Sequence, residues 1–227
     1  AELARDDVLT NHNHAAPQAD GAIREKWSFR RSNYFPFIGD EVKNTQENCG
    51  LQDLSAFAKC IVEGPGAAAW LDGLLANRLP KRGRVALCHR LTPQGGVLAE
   101  FTVYRMAQDR FFLVSAGALE RIDHDMLERA APRDGSVRWT PCTTQFGVLA
   151  TVGPRAREVL QPLVDADLSN AAFPWMSGKF VSVGVAQAHA LRVDFVGELG
   201  WELHHPIEMQ NAIFDLLMRE GARCGLK

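Results

Sequence analysis

Apolar and polar positions repeat along this chain at a long interval. Gly64, Pro65, Ala67, Leu71, Leu74 and Leu79 recur as Gly153, Pro154, Ala156, Leu160, Leu163 and Leu168, each displaced by the same 89 residues. An apolar stretch precedes each copy, Cys60-Ile61-Val62 in the first and Phe146 to Val152 in the second. Proline early in a first helical turn, followed by leucines spaced by three, predicts a short amphipathic helix packed back on a sheet. The repeating unit is therefore strand, Gly-Pro, helix.

Strands follow each predicted helix. Residues 84–90 and 99–106 predict an antiparallel pair, and 110–115 adds a third strand after the turn Ala107-Gln108-Asp109. From 119 to 131, Ile122, Met126, Leu127 and Ala130 keep helical spacing. In the second half 179–185, 188–195 and 201–205 read as strands and 209–221 as the closing helix. Strands grouped apart from helices give an α+β fold with mostly antiparallel sheets. Pro132-Arg133-Asp134-Gly135 and Pro141 punctuate the passage between the halves. Gly197 and Gly200 bracket Glu198 and Leu199 as a tight hairpin turn, after which Glu202 begins the returning strand.

Alternation marks out one further strand. After the turn Gly95-Gly96, Glu100, Thr102 and Tyr104 share one face while Phe101 and Val103 take the other. An acid, a hydroxyl and a phenol in a row suit solvent or a site better than a core.

Composition narrows the function classes. In 227 residues, 46% are hydrophobic and 23% charged, ordinary for a globular protein with a sizeable core. A formal net charge of −2 gives no field to attract nucleic acid or an anionic membrane. No apolar run approaches the ~18 residues of a spanning helix. Cys49, Cys60, Cys88, Cys142 and Cys224 are odd in number and form no C-x-x-C pair, so neither a disulfide framework nor a zinc site is suggested. His12, His14, His204 and His205 lack acidic or thiol partners at ligand spacing, and no metal is expected. No dinucleotide-binding G-x-G-x-x-G follows a strand. Trp27, Trp175 and Trp201 read as core or domain-contact aromatics, and Asp53 and Ser55 as turn residues ahead of the strand at Cys60.

Taken together, Gly50-Leu51-Gln52-Asp53-Leu54-Ser55 with Lys59, the Gly95 to Tyr104 segment, Asp109 to Ser115, and Asp194-Phe195-Val196-Gly197-Glu198-Leu199-Gly200-Trp201-Glu202 resemble the folate-binding aminomethyltransferase family. That family includes the glycine cleavage T-protein and the C-terminal halves of dimethylglycine and sarcosine dehydrogenases. The resemblance covers roughly residues 20 to 227, in the family's order. Ala99-Glu100 stands where the T-protein has an Asp pair, and the Glu form is similar to the dehydrogenase branch.

The resemblance implies a discontinuous first domain, residues 1–60 plus 143–227, with an α+β domain inserted at 61–142. The family's C-terminal β-barrel is lacking, and a chain that starts without Met and stops before that barrel looks like part of a longer polypeptide. Implied functions follow residue by residue. Glu100 matches the catalytic carboxylate, acting by proton handling and electrostatic orientation, with a reach longer by about 1.5 Å than that of Asp. Glu202 matches the acid that accepts the amino group and ring N–H of a pterin. Tyr104 matches a pocket tyrosine, and Phe195, where the T-protein has Tyr, could still cover the pterin face.

The activity implied is tetrahydrofolate-dependent one-carbon transfer. Its partners would be folate and a small N-methyl amine, with FAD only on a separate upstream domain or partner subunit. A cytoplasmic or, in a eukaryote, mitochondrial matrix location is implied. A stand-alone glycine cleavage aminomethyltransferase and a catalytically silent folate-fold module are the rival readings.

Overall fold

A computed structural model describes residues 34–227 together with residues 29, 31 and 32; Trp27, His12 and His14 lie outside them. Among the described residues ten strands form two five-stranded sheets, and every pairing within them is antiparallel. The first sheet runs β1 (Gly50–Asp53), β7 (Phe146–Val152), β10 (Gly200–Pro206), β9 (Ala186–Leu191), β8 (Gly178–Val183). The second runs β6 (Arg138–Pro141), β2 (Ala58–Glu63), β5 (Arg110–Ser115), β4 (Val97–Ala107), β3 (Val85–Leu91). Among the described residues five α-helices accompany the sheets: α1 (Phe35–Glu47), α2 (Ala67–Leu74), α3 (Glu120–Ala130), α4 (Ala156–Leu160) and α5 (Gln210–Gly221).

The two sheets have the same order. β2, β3, β4 and β5 of one correspond to β7, β8, β9 and β10 of the other, with α2 matching α4 and α3 matching α5. Their registers agree as well. Glu63 faces Arg110 on one side and Arg138 on the other, and Val152, 89 residues later, faces Gly200 and Gly50. The fifth strand of each sheet is exchanged, however. β1 precedes β2 in the chain but pairs with β7, and β6 precedes β7 but pairs with β2. Each half thus closes its sheet with the strand that leads into the other half.

The connectors 54–57 and 142–145 cross where the halves meet, and Lys59 binds them together. Its Nζ, on a side chain buried to 1% exposure, donates to the carbonyls of Ser55 (2.9 Å), Phe57 (2.7 Å) and Thr143 (3.3 Å). Burial pushes the Lys59 pKa down, and the carbonyl dipoles stand in for a counter-ion. The domain border implied at residue 60/61 falls inside β2. All of β2 from Ala58 pairs with β5, so the sheets part at the connector before it.

Glycine at the repeat is compulsory. Gly64 and Gly153 have φ of +125° and +130°, and each N–H donates across the turn, to Asp109 O and Leu199 O. A Cβ would lie 2.5 Å from Ser136 O in the first, and 2.6 Å from Asn48 O and Thr45 O in the second. Pro65 and Pro154 sit one residue ahead of the N-cap positions Gly66 and Arg155, inside the i→i+3 turn that leads into each helix.

Three apolar layers result. One lies between the first sheet and α4 and α5, around Trp201, Leu160, Phe173 and Leu217. A second lies between the other sheet and α2 and α3, around Leu71, Phe101, Phe111 and Leu127. The third joins the sheets themselves, with Tyr104, Phe112, Val114, Leu191 and Val193. Trp201 is buried as expected of a core residue, but Trp175 is exposed and belongs to no core. Among the described residues, no helix is long and apolar enough to cross a membrane.

Candidate functional site

The polar side chains predicted for function lie on the sheet faces turned away from the helices. In β10, Trp201 and Leu203 point into the helix-side core, so pleating turns Glu202 and His204 toward the other sheet. Glu202 is flanked by Ala150 of β7 and Leu191 of β9. Its Oε2 lies 2.9 Å from His204 Nε2, and the Glu202 side chain is 11% exposed while that of His204 is fully buried. An ionised carboxylate only accepts, so the bond requires the His204 proton on Nε2. No protein group among the described residues bonds Glu202 Oε1, and His204 Nδ1 is buried without a partner.

Two aromatic groups border this pair. Phe112, from the facing sheet, meets the His204 ring edge-on at 5.3 Å between centroids. His189 of β9 stands opposite His204 in register and contacts the rings of Tyr104 (6.0 Å) and Phe180 (4.9 Å). Burial pushes the His189 pKa down to about 4, with His204 and Arg110 adding to the effect, so His189 is neutral near pH 7. Tyr104 is buried between the sheets, its ring on Gly178, and burial raises its pKa.

The expected tight hairpin before Glu202 is an eight-residue connection. β9 ends at Leu191, short of the strand predicted to Phe195, and residues 192–199 pass over the end of the sheet. Asp194 shapes this loop: Oδ1 accepts the Val196 N–H at 2.8 Å, which turns the chain where a ladder bond would continue the strand. Its Oδ2 is buried without a partner, and burial, with Glu198 and Glu202 nearby, raises its pKa. Phe195 stands out of the same loop with 88% exposure.

Glu100 lies apart from this cluster. It shares the outward face of β4 with Tyr104, two pleats or about 13 Å along the strand, while Phe101 and Val103 enter the core behind it. Across the ladder it faces His89 of β3, with His89 Nε2 2.7 Å from Glu100 Oε2 and the Glu100 side chain 55% exposed. The structure thus joins Glu202 to Tyr104 through the two histidines, leaves Glu100 on the open part of the same strand as Tyr104, and puts Phe195 at the rim.

Two grooves of the described surface open elsewhere, one between α3 and the β3–β4 hairpin and one beside Glu63 and Arg110. They hold none of the candidate residues. Among the described residues no cluster of three or more His, Cys, Asp or Glu could hold a metal ion.

Sequence reasoning does not single out His89 or His189, weighs His204 only as a metal ligand, and has Asp194 only as part of a motif. For His204 a signal was present, since positions 202 and 204 of one strand share a face. His189 and His89 become neighbours of the site only through strand register.

Residues 12–227 match the GCVT N-terminal domain. Mitochondrial dimethylglycine dehydrogenase of Mus musculus is 38% identical over 200 residues, which cover 88% of this chain and 23% of that protein. The aminomethyltransferase of Natranaerobius thermophilus is 28% identical over 195 residues, covering 85% of this chain and 53% of that protein. Among solved structures, the glycine cleavage system aminomethyltransferase T from Bartonella henselae aligns with a TM-score of 0.73 at 24% identity, over 97% of this chain and 57% of that one. The chain thus spans less than a quarter of the length of the dehydrogenase relative.

Proposed function

The chain belongs to the GCVT N-terminal domain family, and from that premise we propose that it is the tetrahydrofolate-binding, one-carbon-transfer part of an enzyme acting on N-methyl amines. The identity of 38% to a dimethylglycine dehydrogenase, against 28% to an aminomethyltransferase, supports the dehydrogenase branch over the stand-alone transferase. On this reading the oxidation of the amine belongs to a flavin domain elsewhere in the parent polypeptide or on a partner subunit. Folate and the amine are its small-molecule partners.

One observation carries the reading: Glu202 is a buried carboxylate in the layer between the sheets, with Oε2 held by His204 and Oε1 bonded by no protein group among the described residues. A buried acceptor pair of that kind suits a flat ligand edge with two adjacent N–H donors, which the amino group and ring N–H of a pterin supply. Tyr104 belongs to the same layer and Phe195 to the rim above it. Bound tetrahydrofolate would supply the nucleophilic nitrogens that receive the one-carbon unit. Glu100, more exposed and paired with His89, is the proton-handling carboxylate of this reading, its charge orienting and stabilising the cationic carbon donor.

The two carboxylates have separable roles, which gives the test. In the full-length protein, Glu202→Gln replaces an acceptor oxygen with a donor facing the ligand's donors, and tetrahydrofolate affinity measured by calorimetry drops by about 2 kcal/mol or more. Glu100→Gln leaves that affinity within a few-fold and lowers folate-dependent product formation by roughly a hundredfold. Normal methylenetetrahydrofolate formation by the Glu100 variant would return Glu100 to the role of a strand acid and favour the silent-module reading.

A further inference from the structure

Glu202 and His204 occupy positions that the other half of the molecule fills without polarity. Register equates β10 with β5: Glu202 lies beside Ala150 of β7 as Phe112 lies beside Ile61 of β2, and His204 lies beside Val148 as Val114 lies beside Lys59. The scaffold is therefore satisfied at these two places by Phe112 and Val114, both buried. A buried ionisable pair gives no stability over apolar residues of similar volume and is often worse than neutral. His204 adds a further penalty, because its Nδ1 is buried with no partner. The fold itself does not call for this pair.

We propose that His204 is a positioning residue that aims the Glu202 carboxylate at the paired N–H donors of a pterin. The inference rests on the reading of Glu202 as the pterin anchor. A glutamate has three side-chain torsions to fix, and the 2.9 Å bond from His204 Nε2 to Oε2 fixes the last of them. The imidazole is itself held, fully buried, with its ring edge-on to Phe112 and with His189 opposite in register. One oxygen is tied back into the protein, so Oε1 and the remaining lone pair on Oε2 are left as two parallel acceptors. Without His204 the carboxylate would be paid for in ordering on every binding event, and the ligand would select among its rotamers.

Calorimetric titration of the full-length protein with tetrahydrofolate tests this, with thermal melting alongside. His204→Phe keeps an aromatic ring on Phe112 and removes the donor; its affinity is expected to fall about tenfold, the scale of one charge-assisted bond, with no loss of melting temperature. His204→Gln places an amide N–H where Nε2 was and is expected to recover affinity to within threefold of the parent, whereas His204→Asn, whose amide stops near the Nδ1 position, is not. Combining His204→Phe with Glu202→Gln is expected to weaken binding no further than Glu202→Gln alone. Unchanged affinity in His204→Phe, beside a loss in Glu202→Gln, overturns the positioning role and leaves the anchor intact. Unchanged affinity in Glu202→Gln removes the anchor and the positioning role with it. If the Phe variant does not fold, the Gln and Asn variants decide, and equal losses in both overturn the proposal.

Discussion

The halves of this molecule share strand order, register and the Gly-Pro turn into a helix, yet one of them carries the buried polar cluster and the other does not. At matched positions the first half has Phe112, Val114 and Thr102, and the second has Glu202, His204 and His189. Both sets face the layer between the sheets. The frame is common to both halves, and the polar cluster comes from a few side chains that differ on one copy, with the apolar copy supplying the wall it packs against. Phe112 plays that part directly, with its ring against His204. Lys59 is the reverse case, a charge in the first half where the second has Val148, and it serves the connectors rather than a ligand.

The sharpest way to break the equivalence is at the paired glycines. Gly64→Ala and Gly153→Ala each force a Cβ onto carbonyl oxygens at a left-handed φ, and each is expected to cost about 4 kcal/mol in urea unfolding. If one variant loses less than ~1 kcal/mol, the two turns are not doing the same job.

A smaller effect separates the polar half by pH. The unfolded His189 titrates near 6.5 and the folded one at about 4. Between those values only the unfolded state is protonated, so the contribution is fully present above pH 6.5, declines as the pH falls toward 4, and is flat below. The loss amounts to about 3 kcal/mol. His189→Thr, the residue that the first half has at the matching Thr102, is expected to flatten this part of the stability profile. An unaltered slope in that variant would show that His189 is protonated alike in both states.

Smallest of the three is Lys59→Met. It leaves the carbonyls of Ser55, Phe57 and Thr143 without their shared donor, at an expected cost of about 2 kcal/mol by denaturant titration. A cost near zero would mean that the crossing holds without its cation.

Local patterns announced much of this fold. The helix at Glu120–Ala130, the strands at Val97–Ala107 and Arg110–Ser115, and the 89-residue repeat all carry their periodicity in the chain itself. The exchanged strands do not. β1 reads Gly-Leu-Gln-Asp and β6 reads Arg-Trp-Thr-Pro, four residues each with no alternation to speak of, and both are strands only because a distant partner offers its edge. α1 escaped as well, having only Asn44 buried among its thirteen residues. At the candidate site, it is the resemblance that points to Glu100 and Glu202. It does not point to their histidine partners, since His89 meets Glu100 only through the β3–β4 register and His204 stands out only when its surroundings are seen to be dry.

The two connectors between the sheets also limit how the protein can move. Two domains joined by a pair of linkers would ordinarily open like jaws about a hinge. Here each sheet is sewn shut by a strand from the other half's leading segment, four register pairs at either seam. Swinging the sheets apart bends the connectors 54–57 and 142–145 that run from those strands, and Lys59 Nζ ties the two connectors to each other, while the apolar layer that joins the sheets would be wetted. One buried cation thus acts as the pin of the hinge.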